Sequence, residues 1–257
     1  MDGHPLRENF AGVKADWAFG AGDQAVTFVS RVDDEFYVEH GLSYYKASGR
    51  MGVTPGHRNT LGERYRTFDP GAAILKCFQC HSTGRLRLGE ALRVEPAEAG
   101  VQCESCHGAG SDHATTPNQP IRNPGKMTGA EVNELCGACH RKPALNPAET
   151  DWADPWNVRH QPVYLAQSAC FLKSGKMSCS TCHAAHQPVS RGASAGYDAV
   201  CASCHKQSRH RALAVAGKSC VGCHMPVVAP NNELRFANHW IGVYAPGAPL
   251  RPISRRP

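Results

Sequence analysis

Six copies of one short pattern carry the chemistry available to this 257-residue chain. Each copy has two cysteines separated by two residues, with a histidine directly after the second. The cysteine pairs are Cys77 and Cys80, Cys103 and Cys106, Cys136 and Cys139, Cys179 and Cys182, Cys201 and Cys204, and Cys220 and Cys223. Two thiols at this spacing reach the same edge of a flat macrocycle, and the histidine that follows lies under its face. The pattern is that of c-type haem attachment: two thioether bonds to the vinyl groups and one imidazole to the iron. The expected cofactor is therefore six covalently attached haem c groups, with His81, His107, His140, His183, His205 and His224 as proximal ligands. Paired C-x-x-C units can also build zinc ribbons, but these do not require a histidine after every second cysteine. Disulfides within such units would close only tiny loops and contribute little.

Six irons with one histidine each need six further ligands, unless one is left open for a substrate. Of the 14 histidines, eight remain. His57, His113, His160, His186, His210 and His239 are the expected distal ligands, since imidazole is a usual partner of haem iron. His4 stands near the chain start, and His40 falls in a strand-like stretch, where a core or surface role is commoner. His186 follows His183 by three residues. On a helical turn the two would share a face, so His186 is expected to serve a different haem. Met51, Met127 and Met177 are rival ligands whose commoner role is packing, whereas Met225 follows His224 directly and cannot cross to the far face of that haem. Cys170, the cysteine outside the six copies, reads as a small buried hydrophobe.

Length limits what can surround these cofactors. About 43 residues per haem is too little for an ordinary core around each. The expected fold is mostly irregular, with short α-helices wrapped around a haem core and a small antiparallel β element near the N-terminus. The 25 glycines and 18 prolines suit such a loop-rich chain. Residues 1–70 are expected to form a β-containing segment packed on the haem region. Residues 71–245 form the six-haem region, and 246–257 an extended Pro/Arg-rich tail lying along this molecule or a neighbour. Ala25–Val29, Glu35–Val38 and Leu42–Tyr45 read as strands, with Asp33-Asp34 as a turn. Thr54-Pro55-Gly56-His57 reads as a turn presenting a histidine. Thr128-Gly-Ala-Glu131 is a capping-box pattern that predicts a helix running into Cys136 and ending near His140. Further short helices are predicted over Ser194–Cys204 and Arg211–Cys220.

The formal charge of +6 does not call for a nucleic-acid partner. Six haems would bring ~12 propionate charges, which the arginines and lysines can pair. No run of 18 or more apolar residues is present, so no transmembrane segment is expected. The first residues lack the charged start and apolar centre of a signal peptide. Haem attachment of this kind takes place outside the cytoplasmic membrane, so a periplasmic or extracellular location is expected, with the sequence expected to be a mature or truncated form or to have a misplaced start.

Cys103-Glu-Ser-Cys106-His107-Gly-Ala-Gly-Ser111-Asp-His113 resembles an element of the tetrahaem electron-transfer cytochromes of nitrogen-cycling bacteria. Cys182-His183-Ala-Ala-His186 and Cys223-His224-Met225-Pro226 resemble elements of the same broad group of multihaem c-type cytochromes, which includes filament-forming extracellular members. The resemblance implies that His113 and His186 ligate haems other than their neighbours'. Relatives that reduce nitrite often carry a C-x-x-C-K site, and none is present here. The leading expectation is a non-enzymatic carrier passing electrons along six closely spaced bis-histidine haems between redox partner proteins. One form of it is a homo-oligomeric filament subunit. The alternative is a multihaem reductase of a small nitrogen or sulfur oxyanion, with one open haem.

Overall fold

The computed structural model describes residues 14–32, 36–57, 65–68, 74–116, 118–144, 146–189, 194–206 and 219–253. The chain divides into two compact units. The first comprises Met1–Arg122 with Asn231–Leu234, and the second Asn123–Pro230 with Arg235–Pro257. The sheet and the first two attachment sites therefore share a unit, and the other four sites share the second.

The first unit is built on an antiparallel sheet of β1 (Trp17–Phe19), β2 (Ala25–Val32), β3 (Phe36–Tyr45), β4 (Arg50–Val53) and β5 (Tyr65–Phe68). The order is β1-β2-β3-β4, with β5 also pairing β3. Of the stretches predicted as two strands, Glu35 lies outside the described residues, and Phe36–Val38 and Leu42–Tyr45 belong to one strand. Its middle is irregular: Thr27 pairs Ser43 but Val29 pairs Glu39, so His40-Gly41-Leu42 spans the bulge opposite Phe28. At the same point β3 changes neighbour, from β5 beside Tyr37–His40 to β4 beside Leu42–Tyr45. Gly41, between the two predicted stretches, is where the strand bends and continues. Asp33-Asp34 lie outside the described residues.

One face of the sheet buries Val29 and Tyr37 against Ile74, Phe78 and Val94. Phe78 belongs to α1 (Leu75–His81), the helix of the first attachment site. Trp17 and Phe19 meet the Phe78 ring edge-on, at 4.8 and 5.0 Å between centroids. The Tyr37 hydroxyl accepts the Val94 amide at 2.7 Å, tying the sheet to the hairpin of β6 (Ser82–Leu88) and β7 (Val94–Ala99). That hairpin leads into α2 (Cys103–His107), the second attachment site, followed by α3 (Ser111–Thr115).

The second unit contains α4 (Gly129–His140), α5 (Gln161–Leu165), α6 (Ala169–Ser174), α7 (Cys179–Cys182), α8 (Ser194–Cys204) and α9 (Cys220–His224). A two-stranded pair, β8 (Val227–Val228) and β9 (Phe236–Ala237), follows α9. The predicted capping box starts α4. Thr128 Oγ1 accepts the Glu131 amide at 3.2 Å, and Glu131 Oε2 accepts the Thr128 amide at 2.7 Å. The helix over Ser194–Cys204 is as predicted. Residues 211–218 of the other predicted helix lie outside the described residues. A second apolar cluster joins Trp152, Val158, Val163, Tyr164 and Val228, with Trp240 and Leu250 packed on it. The described part of the Pro-rich tail, residues 246–253, lies along its own unit, and residues 254–257 lie outside the described residues. Asn238 Nδ2 donates to the carbonyls of Pro249 and Leu250, and the Ile253 amide donates to Val243.

Two substitutions test this packing. Phe78→Ala empties the contact between the sheet and the first attachment helix. It should cost about 3–5 kcal/mol in thermal or denaturant unfolding. Gly129 has no room for a side chain, because a Cβ would sit 2.1 Å from the Met177 carbonyl oxygen ahead of α7. Gly129→Val should therefore part α4 from α7 and cost about 1–3 kcal/mol. Ala at the exposed Gly196, where nothing lies within 4 Å of the added carbon, should be tolerated in the same assay.

Candidate haem-binding sites

The cysteine pairs of all six copies sit on helices. Helices α2, α7 and α9 begin at their first cysteine, and α1 begins two residues before it, whereas α4 and α8 run for two turns into theirs. The pairs differ in how deeply the fold sets them. On α1 Cys77 and Cys80 are both half-buried, as are Cys179 and Cys182 on α7. In each of the other four pairs one thiol is half-buried and its mate is exposed. The half-buried members are Cys106, Cys136, Cys201 and Cys220, and the exposed ones are Cys103, Cys139, Cys204 and Cys223. The spacing made the two thiols of a pair look equivalent. They are not, because one helical turn puts residues three apart at different angles to the unit beneath.

The first two sites flank β6. The Ser82 hydroxyl caps α1 by donating to the Phe78 carbonyl at 2.6 Å. Thr83 Oγ1 is within 2.6 Å of Ser105 Oγ on α2 and accepts the Gln102 amide at the start of that helix. A single buried threonine thus fixes the second site relative to the first. After His107 the chain turns at Gly108, whose φ of 76° lies in the left-handed region that glycine adopts freely. The Glu104 carboxylate accepts the Gly110 amide across this turn at 2.6 Å.

In the second unit the attachment helices pack in sequence order: α4 on α7, α7 on α8, α8 on α9. Thiols of successive sites lie close enough to influence one another. Cys136 and Cys179 form a hydrogen bond that holds Cys136 down to about 7 and, with burial, pushes Cys179 up. Cys139, the exposed partner of Cys136, is one turn further along α4. Burial and the neighbouring Cys220 and Cys182 thiols raise Cys201 to about 11. Asn133, buried on α4, donates to the Pro162 carbonyl at 3.2 Å and accepts from Cys179 Sγ at 3.1 Å. The second bond exists only while Cys179 is a thiol, since a thioether has no proton to give. Asp198 of α8 accepts from the Ser219 hydroxyl and the Val221 amide, both at 3.2 Å, and so caps α9. Cys170, half-buried on α6, has its thiol pushed up by burial first.

Several histidines have their tautomer fixed by backbone partners. His107 Nδ1 donates to the Arg122 carbonyl at 2.9 Å, and His224 Nδ1 to Gly242 at 2.8 Å. His113 Nδ1 donates to Gln119 at 2.7 Å, and His239 Nδ1 to Ala237 at 2.9 Å. A carbonyl can only accept, so in each neutral ring the proton is on Nδ1 and the lone pair on Nε2. That is the tautomer a metal-bound imidazole needs. Burial pushes His160 down to about 4, with Arg159 and Arg141 adding to it. Burial also pushes His239 to about 4 and lowers His183. These rings stay neutral, which is the ligating form.

Other histidines are engaged differently. His57 follows the Pro55-Gly56 turn, closed by its amide to the Thr54 carbonyl at 3.0 Å. It is buried, and its Nε2 donates to Glu39 Oε2 at 3.0 Å. Ligation through that nitrogen requires the pair with Glu39 to open. His40 lies in the core of the sheet at 1% exposure. Ser30 donates to the Lys14 carbonyl, so the 2.6 Å contact from His40 Nε2 to Ser30 Oγ is a donation by His40. His186 is exposed and does not share a helical face with His183. The single-turn α7 ends at Cys182, and His183 is extended, with φ −116° and ψ 120°. One turn has too few internal bonds to carry a helix onward. His4 and His210 lie outside the described residues.

The surroundings of Cys182 and His183 suit a porphyrin. An open cavity of about 340 Å³ adjoins them, lined on its apolar side by Ala184, Pro188, Val189 and Tyr197. Among the described residues no three His, Cys, Asp or Glu side chains converge as ligands of a bare ion. A haem needs no such convergence, because its ring supplies four of the iron's ligands. The residues that position the sites, Asn133, Ser168, Asp198 and Asn238, were not singled out in the sequence. Isolated polar residues carry no local signal of burial.

Comparison with known proteins agrees with this chemistry. Residues 58–108, which include the first two sites, match the family described as cytochrome c554 and c-prime. The multiheme cytochrome MtrA of Shewanella baltica (strain OS185) is 29% identical over 140 residues, covering 50% of this chain and 36% of that protein. The C-type polyheme cytochrome OmcC of Geobacter sulfurreducens (strain ATCC 51573 / DSM 12127 / PCA) is 27% identical over 163 residues, covering 61% of this chain and 19% of that protein. The chain thus spans well under half the length of either relative. A crystal structure of the outer cell wall cytochrome OcwA is 16% identical, with a TM-score of 0.49 over 87% of this chain and 66% of that one. The attachment pattern, the family match over residues 58–108 and the two cytochrome relatives converge on one conclusion: the chain is a multihaem c-type cytochrome.

Proposed function

We propose that the protein carries electrons along six covalently attached haems, each with two histidine ligands, between redox partners outside the cytoplasmic membrane. Haem, when bound, supplies a one-electron iron centre. The chain's part is to hold each ring, fill both axial positions and keep neighbouring rings close. The single observation that carries this reading is the succession of attachment helices in the second unit, α4 to α7 to α8 to α9, with thiols of consecutive sites side by side. Rings carried by helices packed in this order would stand close enough for electrons to tunnel between them. The histidine tautomers support filled axial positions, which suit electron transfer because little rearranges on reduction. Among the described residues no helix is long and apolar enough to cross a membrane. The location follows from where C-x-x-C-H sites receive haem.

Intact mass under denaturing conditions should report six haems per chain. Removing one interior haem, with Cys179→Ala and Cys182→Ala, should leave five. It should also slow the passage of electrons from a reduced donor to an acceptor by about tenfold or more, a barrier increase above about 1.4 kcal/mol. A five-haem variant that conducts as fast as the wild type would overturn the chain-of-haems reading. Rapid, saturable reoxidation of the reduced protein by nitrite or sulfite would favour a reductase instead.

A further inference from the structure

We propose that His183 and His239 are the two axial ligands of one iron, that of the haem attached at Cys179 and Cys182. The inference rests on the haem-carrier reading and adds a ligand pairing to it. The imidazole centroids of His183 and His239 are 6.2 Å apart, with planes inclined at 35°. Two imidazoles trans across one metal should stand roughly 6 Å apart, given metal–nitrogen bonds of about 2 Å and the radius of each ring. Rings stacked in direct contact would be closer, and unrelated ligands of separate haems have no reason to match this span.

The distal side is built to hold that position. His239 Nδ1 donates to the Ala237 carbonyl, which leaves the Nε2 lone pair as donor to a metal. The residues on either side are clamped by buried polar groups. Asn238, at 0% exposure, accepts the Trp240 amide through Oδ1 and donates through Nδ2 to Pro249 and Leu250. Ser168, also at 0%, donates to the His239 carbonyl at 2.9 Å and accepts the Ile241 amide at 2.8 Å. On the proximal side, the His183 amide is tied to the Cys179 carbonyl at 3.0 Å, and Tyr197 packs edge-on against the ring at 5.6 Å. The cavity beside Cys182 is lined by His183 and Tyr197. No helical motif links the two histidines, which stand far apart in sequence, so this pairing was not readable from spacing.

The test uses holoprotein, with haem content checked by intact mass before any spectroscopy. His239→Ala should keep six haems and convert one of them to a high-spin form that binds carbon monoxide when reduced. His239→Met should keep that haem low-spin and raise one reduction potential out of six. The pairing itself is read from a double variant. If the two histidines share an iron, His183→Ala/His239→Ala binds no more carbon monoxide than His183→Ala alone, whether or not the single variant retains its haem. One additional carbon-monoxide-binding haem in the double variant would mean that His239 serves a different iron and would overturn the pairing. His239→Ala with all six haems present and unchanged spectra would show that His239 is no ligand. A wild-type protein lacking covalent haem would instead defeat the carrier reading itself.

Discussion

A haem c site demands that two sulfurs meet one ring edge while an imidazole lies beneath the ring, all from a handful of consecutive residues. A single helical turn satisfies this geometry, and a single turn is unstable alone, because nucleation fixes several residues for very few hydrogen bonds. Each attachment turn must therefore be held by something outside it. In the first unit α1 is held through Phe78, on which Trp17, Phe19, Val29 and Tyr37 converge. The second site hangs from Thr83. In the second unit α4 has its own capping box, and Asn133 extends from it toward α7. The aspartate of α8 caps α9. The fold is largely a set of devices for pinning short turns.

The same economy governs the histidines. A backbone carbonyl facing Nδ1 fixes both the tautomer and the direction of the ring, with no further side chain required. It serves His107 and His224 among the proximal residues, and His113 and His239 among the distal candidates. His57 stands apart because its partner is a carboxylate on Nε2, the nitrogen that usually ligates. His40 is absorbed into the sheet core by Ser30.

The candidate attachment residues stand out in the sequence because their chemistry needs contiguous residues at fixed spacing. The Thr128–Glu131 capping box was legible for the same reason, as was the Pro55-Gly56 turn. Spacing could not tell the half-buried Cys80 from the exposed Cys139, although both close their pairs. That difference comes from what packs beside α1 and α4. The long β3 strand was not legible either, because Gly41 reads as a break in a linear pattern and becomes a bend only when β4 and β5 take opposite ends of the strand. The helical placement of His186 beside His183 failed because spacing cannot reveal that α7 stops after one turn. The relation of His183 to His239, and the clamps at Ser168 and Asn238, depend on segments that meet only in the folded chain.

The central claim is that the bound irons have both axial positions filled by histidine and so carry electrons without reacting. Electron paramagnetic resonance of the fully oxidised holoprotein tests it most directly. The account predicts low-spin ferric haem only, with no high-spin signal. A high-spin signal equivalent to one haem or more per chain would contradict it and expose an open coordination site.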